Sequence, residues 1–228
     1  MIEPGHVVEE IRQLTSKCIE LSLCNDQNYP AAVKVGALTN ISFAGGGGYT
    51  IALKNVAYAE VYSSLLVSKA YNLRMVDGAL LQLSYTFHDR LLTRHRLAFF
   101  PSPDLTEFQN SPEIYEAEEI YAEIIEKSVV PFPIRFDYED DESVYVDLHH
   151  PRSHLTLGQY SNCRIPVTAP LSPYAFLDFV LRSFYNTAHR RFCERLPKSA
   201  MSFEETISSR ERGVVHFHVP TLSERRSS

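Results

Sequence analysis

The chain has 228 residues, which is long enough to bury a sizeable core. Apolar residues make up 44% and charged residues 22%, a composition that argues against wholesale disorder. No apolar run approaches the roughly 18–20 residues of a membrane span, and the N-terminus lacks the pattern of a secretory leader, so we expect a cytoplasmic protein. The net charge of −6 is uneven, since residues 113–147 hold twelve acidic and two basic residues, which leaves +4 on the rest of the chain.

The first 70 residues are predicted to be mainly helical. Apolar residues at helical spacing predict an amphipathic helix over residues 4–23, and a second helix is expected over 55–69. Between them, residues 41–43 suit a short strand. Four glycines follow at 45–48 and predict a surface loop, because no Gly-Lys-Ser/Thr of a phosphate-binding loop comes after them.

Residues 71–220 are predicted to form a sheet with one buried helix. The Asp77-Gly78 turn predicts a hairpin of residues 71–76 and 79–88. Further strands are expected at 91–100, 134–138, 144–149, 154–157 and 214–219, and a solvated Glu-rich helix at 113–127. Residues 173–187 predict a buried helix that starts at Ser172, and 221–228 a disordered tail. The fold class is therefore α+β, in one domain: an antiparallel meander sheet with helices packed on its apolar face.

Alternation of side chains along these strands sorts residues onto two faces. Leu81, Leu83, Tyr85 and Phe87 share an apolar face, as do Ile134, Phe136 and Tyr138 on a later strand. The opposite face is predicted to be polar. Its candidate residues are Gln82, Ser84, Thr86, His88, Arg94, Arg96, Arg135, Asp137, Tyr145, Asp147, His149, His154 and Thr156.

A hairpin of residues 144–149 and 154–157 would place His149 opposite His154, with Asp147 beside them. Cross-strand neighbours have Cβ atoms about 4.5–5.5 Å apart, so these groups would share one small ligand. If the turn started one residue earlier, His150 would replace His149 on this face. Additional binding residues are expected nearby at Arg94, Arg96, His150, Arg152, Ser153 and Arg164.

Three chemistries suit this set. His149 and His154 would act as general acid and base in metal-independent RNA cleavage, with Arg135 stabilising the phosphate charge and Asp137 or Asp147 orienting an imidazole. Asp147, His149 and His154 would alternatively bind a divalent metal, although no metal or other cofactor is expected. The third alternative is that arginines and histidines on an open sheet simply hold phosphates.

Four segments carry a family resemblance: LAFFPSP (97–103), PIRFDYED (133–140), HPRSHLTLGQYSNCRIPV (150–167) and LSPYAFLDFVLRSFY (171–185). They resemble a bacterial family catalogued only as a domain of unknown function, number twenty-two ninety, and the His-Pro-x-Ser-His-Leu block is the most specific part. The family implies no activity. The stretch from Arg135 to His154 is also weakly similar to toxin–antitoxin proteins suspected of cutting RNA.

Two functions follow as hypotheses. The first is a nucleic-acid-acting protein that binds RNA or another single strand, such as a ribonuclease-like toxin or an antiviral-defence effector. The alternative is a non-enzymatic sensor or adaptor of a bacterial defence complex, which would bind an operon-encoded protein through the Glu-rich residues 113–127. No membrane partner is expected.

Overall fold

The structure is a computed structural model that describes residues 2–44, 56–103, 132–160, 162–199 and 201–221. Within these ranges the helices are α1 (Pro4–Glu20), α2 (Tyr58–Val67), α3 (Pro173–Phe184) and α4 (Asn186–Phe192). The strands are β1 (Cys24–Gln27), β2 (Pro30–Val35), β3 (Leu38–Phe43), β4 (Leu73–Met75), β5 (Leu80–His88), β6 (Leu91–Phe100), β7 (Ile134–Glu139), β8 (Ser153–Leu157) and β9 (Ile165–Pro166).

All nine strands belong to one sheet, in which every strand pair is antiparallel. The order is β1-β4-β5-β6-β7-β8-β9, so β5 to β9 form a meander of sequential neighbours. The outer edge of β5 is shared, because β4 pairs with its start and β3 with its end, and β2 extends the sheet beyond β3. The predicted α+β fold with an antiparallel meander is confirmed.

The predicted apolar face carries the main core. Leu81, Leu83, Tyr85 and Phe87 of β5 are buried in one cluster with residues of α1 and α3. Helix α3 begins as predicted, because Ser172 Oγ accepts a hydrogen bond of 3.2 Å from the Ala175 amide and Pro173 takes the first helical position. Two helices therefore cover this face of the sheet.

His95 also lies on the apolar face, where alternation along β6 puts it on the same side as Leu97 and Phe99. The ring is buried, and its Nε2 accepts a hydrogen bond of 3.1 Å from the Leu171 amide. Burial lowers the pKa of His95 to about 4, so the ring is neutral at pH 7. His95 thus connects β6 to the start of α3.

The opposite face is not polar throughout, which corrects the prediction of a single apolar face. Helix α2 buries Val61, Tyr62 and Leu65 against Leu80 and Phe100, which form a second, smaller core on that side. Gln82, predicted to be polar surface, is buried next to this core and donates to the Ala70 carbonyl. The polar part of the face begins beyond α2.

Strands β1 to β3 show that the predicted N-terminal helical part also belongs to the sheet. Only residues 41–43 of this region were predicted to be strand. Much of β2 is exposed at the sheet edge, so it lacks the alternation that marks a half-buried strand. Gly36, with a φ of 62°, forms the tight turn from β2 to β3.

The predicted strand at residues 144–149 is wrong. The chain turns there: Ser143 and Val144 donate to Asp141, Leu148 has a φ of 66°, and Val146 pairs with His150 in an isolated bridge. Val146 is 51% exposed, so the apolar alternation of this segment does not mark a buried face. The strand predicted at 214–219 is also wrong, since only Phe217 bridges to Val167.

The other predicted elements agree with the structure within a few residues. Helix α1 ends three residues before the predicted limit, and β6 has the predicted bounds. The predicted glycine loop at 45–48, the Glu-rich helix at 113–127 and residues 222–228 of the tail lie outside the described residues. No helix in the described part of the chain is long and apolar enough to cross a membrane.

Candidate functional site

Beyond α2, strands β6, β7 and β8 align polar side chains in two rows. Arg96, Asp137 and His154 are cross-strand partners in one row. In the neighbouring row Arg135 pairs with Thr156. Continuing the β8–β9 register, in which Leu155 pairs with Ile165, places Arg164 opposite Thr156. We call these residues, together with the adjacent His150, the polar face: Arg96, Arg135, Asp137, His150, His154, Thr156 and Arg164.

Asp137 lies between two guanidinium groups. Its Oδ1 accepts from Arg96 Nε at 2.9 Å, and its Oδ2 accepts from Arg135 Nε at 2.5 Å. Burial alone would raise the pKa of Asp137, but Arg135 and Arg96 outweigh burial and lower it. The carboxylate is therefore charged, and the trio has a net charge of +1.

Both arginines use only Nε for Asp137. Their terminal Nη nitrogens have no hydrogen-bond acceptor among the described residues. In the described part of the chain, these nitrogens are not among the buried polar atoms that lack a hydrogen bond. They are therefore at least partly exposed, and solvent or a ligand can reach them. Each fork consequently offers donors for a bound anion.

His154 is 4% exposed and held in one tautomer. Its Nδ1 lies 2.9 Å from the Pro151 carbonyl oxygen, which can only accept, so Nδ1 carries the proton. Nε2 lies 3.8 Å from Asp137 Oδ2. Burial lowers the pKa of His154 to about 4 in spite of Asp137, and the imidazole is neutral at pH 7.

His150, rather than His149, is the histidine next to His154. The two rings are 5.1 Å apart between centroids and nearly perpendicular. Burial, followed by the charge of Arg164, lowers the pKa of His150, which favours the neutral form of this ring. The pairing of His149 with His154 is wrong because residues 144–149 form a turn, and His149 is exposed on it.

Asp147 also lies away from the polar face. Its carboxylate accepts from Ser208 Oγ at 2.7 Å, from Arg210 Nη1 at 2.9 Å and from the Tyr145 hydroxyl at 3.2 Å. These bonds connect the 144–149 turn to residues 208–210. The predicted site of Asp147, His149 and His154 is therefore not assembled.

Three predicted binding residues have structural partners. Arg152 bonds to Asp140 and Glu142 and lies over the Tyr145 ring, so it holds the 140–145 turn. Ser153 points to the other face, where its Oγ lies 2.9 Å from Thr206 Oγ1. Arg94 is on the polar side but is paired with Glu139 at 3.1 Å.

Arg164, also predicted as a binding residue, has a different environment on the polar face. Within the described ranges it has no hydrogen bond or ion pair, while its charge lowers the pKa of both His150 and His154. Together, Arg96, Arg135 and Arg164 against Asp137 give the polar face a net charge of +2.

Thr156 was predicted to lie on this face but without a function. Thr156 is 5% exposed, and its Oγ1 has no hydrogen-bond partner among the described residues. Alternation along β8 was a sufficient signal for its direction. Whether the hydroxyl has a hydrogen-bond partner depends on which residues surround it in the fold, and the alternation of side chains along a strand does not give this information.

Metal binding is not supported by the described residues, which contain no group of three or more His, Cys, Asp or Glu side chains that could hold an ion. A cavity of about 350 Å³ lies elsewhere, between α1 and a wall formed by residues 197–199 and Met201. Its lining includes none of the polar-face residues, and its walls are mostly the apolar parts of side chains. We therefore place the candidate site on the polar face, where arginine donors without partners among the described residues lie on neighbouring strands.

A sequence family matches most of the chain. The family, DUF2290, is described as an uncharacterized conserved protein, and the match covers residues 23–219. No curated protein and no solved structure is significantly similar to the chain. The resemblance to toxin–antitoxin proteins therefore gains no support.

Proposed function

We propose that this chain, which belongs to the DUF2290 family of uncharacterized conserved proteins, binds single-stranded nucleic acid on its polar face. The observation that carries the proposal is a set of donors without partners in the described ranges: the Nη groups of Arg96 and Arg135 and the guanidinium of Arg164. Arginine forks match phosphate oxygens in geometry and charge.

The surroundings of the arginines favour a strand with bases over a small anion. Tyr160, four residues before Arg164, is 77% exposed, and Phe132 is also exposed. Both lie beside Gly158, since a Cβ there would be 3.4 Å from the Tyr160 ring and 3.9 Å from Phe132 Cβ. Exposed aromatic rings near basic side chains are the kind of surface on which single-stranded bases stack.

The protonation of the two histidines favours binding over cleavage. Metal-independent RNA cleavage needs a protonated imidazole as acid beside a neutral one as base. Burial lowers the pKa of His154 to about 4 and, together with Arg164, that of His150 below its ordinary value. The lowered pKa values favour the neutral form of both rings at pH 7, which supports binding over acid catalysis by the free protein.

The experiment is fluorescence anisotropy with a labelled 12-nucleotide RNA, the same sequence as DNA, and a duplex. We expect single strands to bind more tightly than the duplex. Replacing Arg164 by Gln should weaken binding about tenfold. It should also reduce the slope of the logarithm of the binding constant against the logarithm of the salt concentration by about one, as expected for the loss of one phosphate contact. Arg12→Gln is the matched control, because Arg12 is an exposed arginine on α1 that pairs with Glu9.

The proposal is overturned if no strand binds, or if Arg164→Gln binds like the unchanged protein. Gel analysis of the same RNA samples tests cleavage. Intact RNA is the expected result. Cleavage that stops in a His154→Ala protein would replace binding by the ribonuclease hypothesis.

A further inference from the structure

The hydroxyl of Thr156 is the most unusual group on the polar face. Thr156 is buried, and its Oγ1 has no hydrogen-bond partner in the part of the chain that the structure describes. A buried hydroxyl without a partner costs about 1–3 kcal/mol, so a ligand that satisfies it gains binding free energy. It therefore marks a place where a polar ligand atom would fit.

An arginine stands on each side of this hydroxyl. Arg135 is its partner in β7, and the continued β8–β9 register places Arg164 on the other side. Neighbouring Cβ atoms across a sheet lie about 4.5–5.5 Å apart, so both arginine side chains start close enough and are long enough for their Nη groups to reach an anion held at Thr156. We name these three residues, Arg135, Thr156 and Arg164, the cradle.

Charge distinguishes two kinds of phosphate. The polar face carries +2, since three arginines oppose the single carboxylate of Asp137 and the Arg94–Glu139 pair cancels. An internal phosphodiester has one negative charge, whereas a phosphomonoester has close to two at pH 7. A dianion would match the charge of the face.

The depth of the Thr156 hydroxyl also favours a phosphomonoester over a phosphodiester. Because Thr156 is 5% exposed, the group that reaches its hydroxyl must enter end-on. A terminal phosphate has three free oxygens and one ester link, so it can point inward while the strand stays outside. An internal phosphodiester has a sugar on both sides and cannot approach in this way.

We propose that the cradle binds the terminal phosphomonoester of a nucleic acid strand, an inference that rests on the proposed function. The Thr156 hydroxyl donates to one phosphate oxygen, and the Nη groups of Arg135 and Arg164 donate to the others. Tyr160 is then placed to stack on a base near the strand end.

The test uses one 12-nucleotide RNA in three forms: with a 5′-phosphate, with a 3′-phosphate, and with hydroxyls at both ends. We expect at least one phosphorylated form to bind about tenfold more tightly than the unphosphorylated one. Thr156→Val, which removes only the hydroxyl, should abolish most of this difference. Thr86→Val is the control, because Thr86 on β5 bonds to Asn40 and lies outside the cradle.

Thr156→Val also has a stability readout. Removing an unpaired buried hydroxyl should leave the midpoint of urea unfolding unchanged or higher, so lost binding would not reflect unfolding. Inorganic phosphate should compete only at millimolar concentration. Competition at micromolar concentration would overturn the inference in favour of a site for free phosphate.

The outcomes separate this inference from the proposed function. If all three RNA forms bind equally, the terminal-phosphate inference fails while nucleic acid binding stands. If the end preference persists in Thr156→Val, the cradle is the wrong site. Absence of binding by every form overturns both proposals.

Discussion

Asp137 and His154 are cross-strand partners in β7 and β8, yet 3.8 Å separates Asp137 Oδ2 from His154 Nε2. The imidazole donates its proton to the Pro151 carbonyl instead, and both carboxylate oxygens accept from arginines. The carboxylate thus orients Arg96 and Arg135 rather than a histidine. Replacing the Asp137 carboxylate and protonating the His154 ring should therefore affect stability for different reasons.

Replacing Asp137 by Asn should destabilise the protein by about 3 kcal/mol, because it leaves two partly buried guanidiniums without a counter-charge. Urea unfolding measures the change. Glu139→Gln is the matched control on the same strand, and its more exposed pair with Arg94 should contribute less than about 1 kcal/mol. Equal effects of the two substitutions would contradict the central position assigned to Asp137.

The stability of the protein should fall as the pH is lowered from about 6.5 to about 4. Burial lowers the pKa of His95 and of His154 to about 4, whereas an unfolded histidine titrates near 6.5. Between these values the unfolded chain binds more protons, so stability is complete above the window and is lost on acidification. Each buried ring contributes about 3 kcal/mol to this change.

Urea unfolding at several pH values measures this slope. His154→Gln should reduce it by about half, while His149→Gln, at an exposed position, should leave it unchanged. A profile that is flat from pH 4 to 7 would contradict the burial of both rings. The lowered pKa of Asp137 adds a further loss of stability only at lower pH, as this carboxylate becomes protonated.

Much of the sheet was predictable because alternation is a local property of the chain. Leu81 to Phe87 on β5 and Ile134 to Tyr138 on β7 repeat with period two, and the structure buries them on one face. The same parity placed Arg96, Arg135, Asp137 and Thr156 on the opposite face. The meander order was predicted because sequential strands are usually neighbours, and this holds from β5 to β9 even where residues 101–133 separate β6 from β7.

The error at residues 144–149 arose from the same rule. Val144, Val146 and Leu148 alternate with polar residues, but the positive φ of Leu148 and the acceptor groups of Asp141 turn the chain. Nothing in the alternation distinguishes a strand from such a turn. The error moved the predicted partner of His154 by one residue, to His149 instead of His150.

The start of α3 gives a test of local stability. Ser172 Oγ accepts from the Ala175 amide at the first turn, and Ser172→Ala removes this cap at a cost of about 1 kcal/mol. Ser172→Gly should lower the free energy of unfolding by only about a few tenths of 1 kcal/mol, because glycine leaves the amide accessible to solvent. The two unfolding midpoints measure the cap, and identical midpoints would contradict its contribution.

The two adjacent histidines provide the last prediction, which depends on nucleic acid binding. His150 contacts the His154 ring and lies close enough to Arg164 for that charge to lower its pKa, so a bound phosphate would approach His150 and favour its protonation. His150→Ala should therefore weaken RNA binding about fivefold at pH 6 and less at pH 8. His149→Ala, one residue away but on the exposed side of the turn, should bind RNA like the unchanged protein at both pH values. If His149→Ala weakens binding and His150→Ala does not, the 144–150 turn presents the opposite residue to the ligand, and the position of the site would have to be revised.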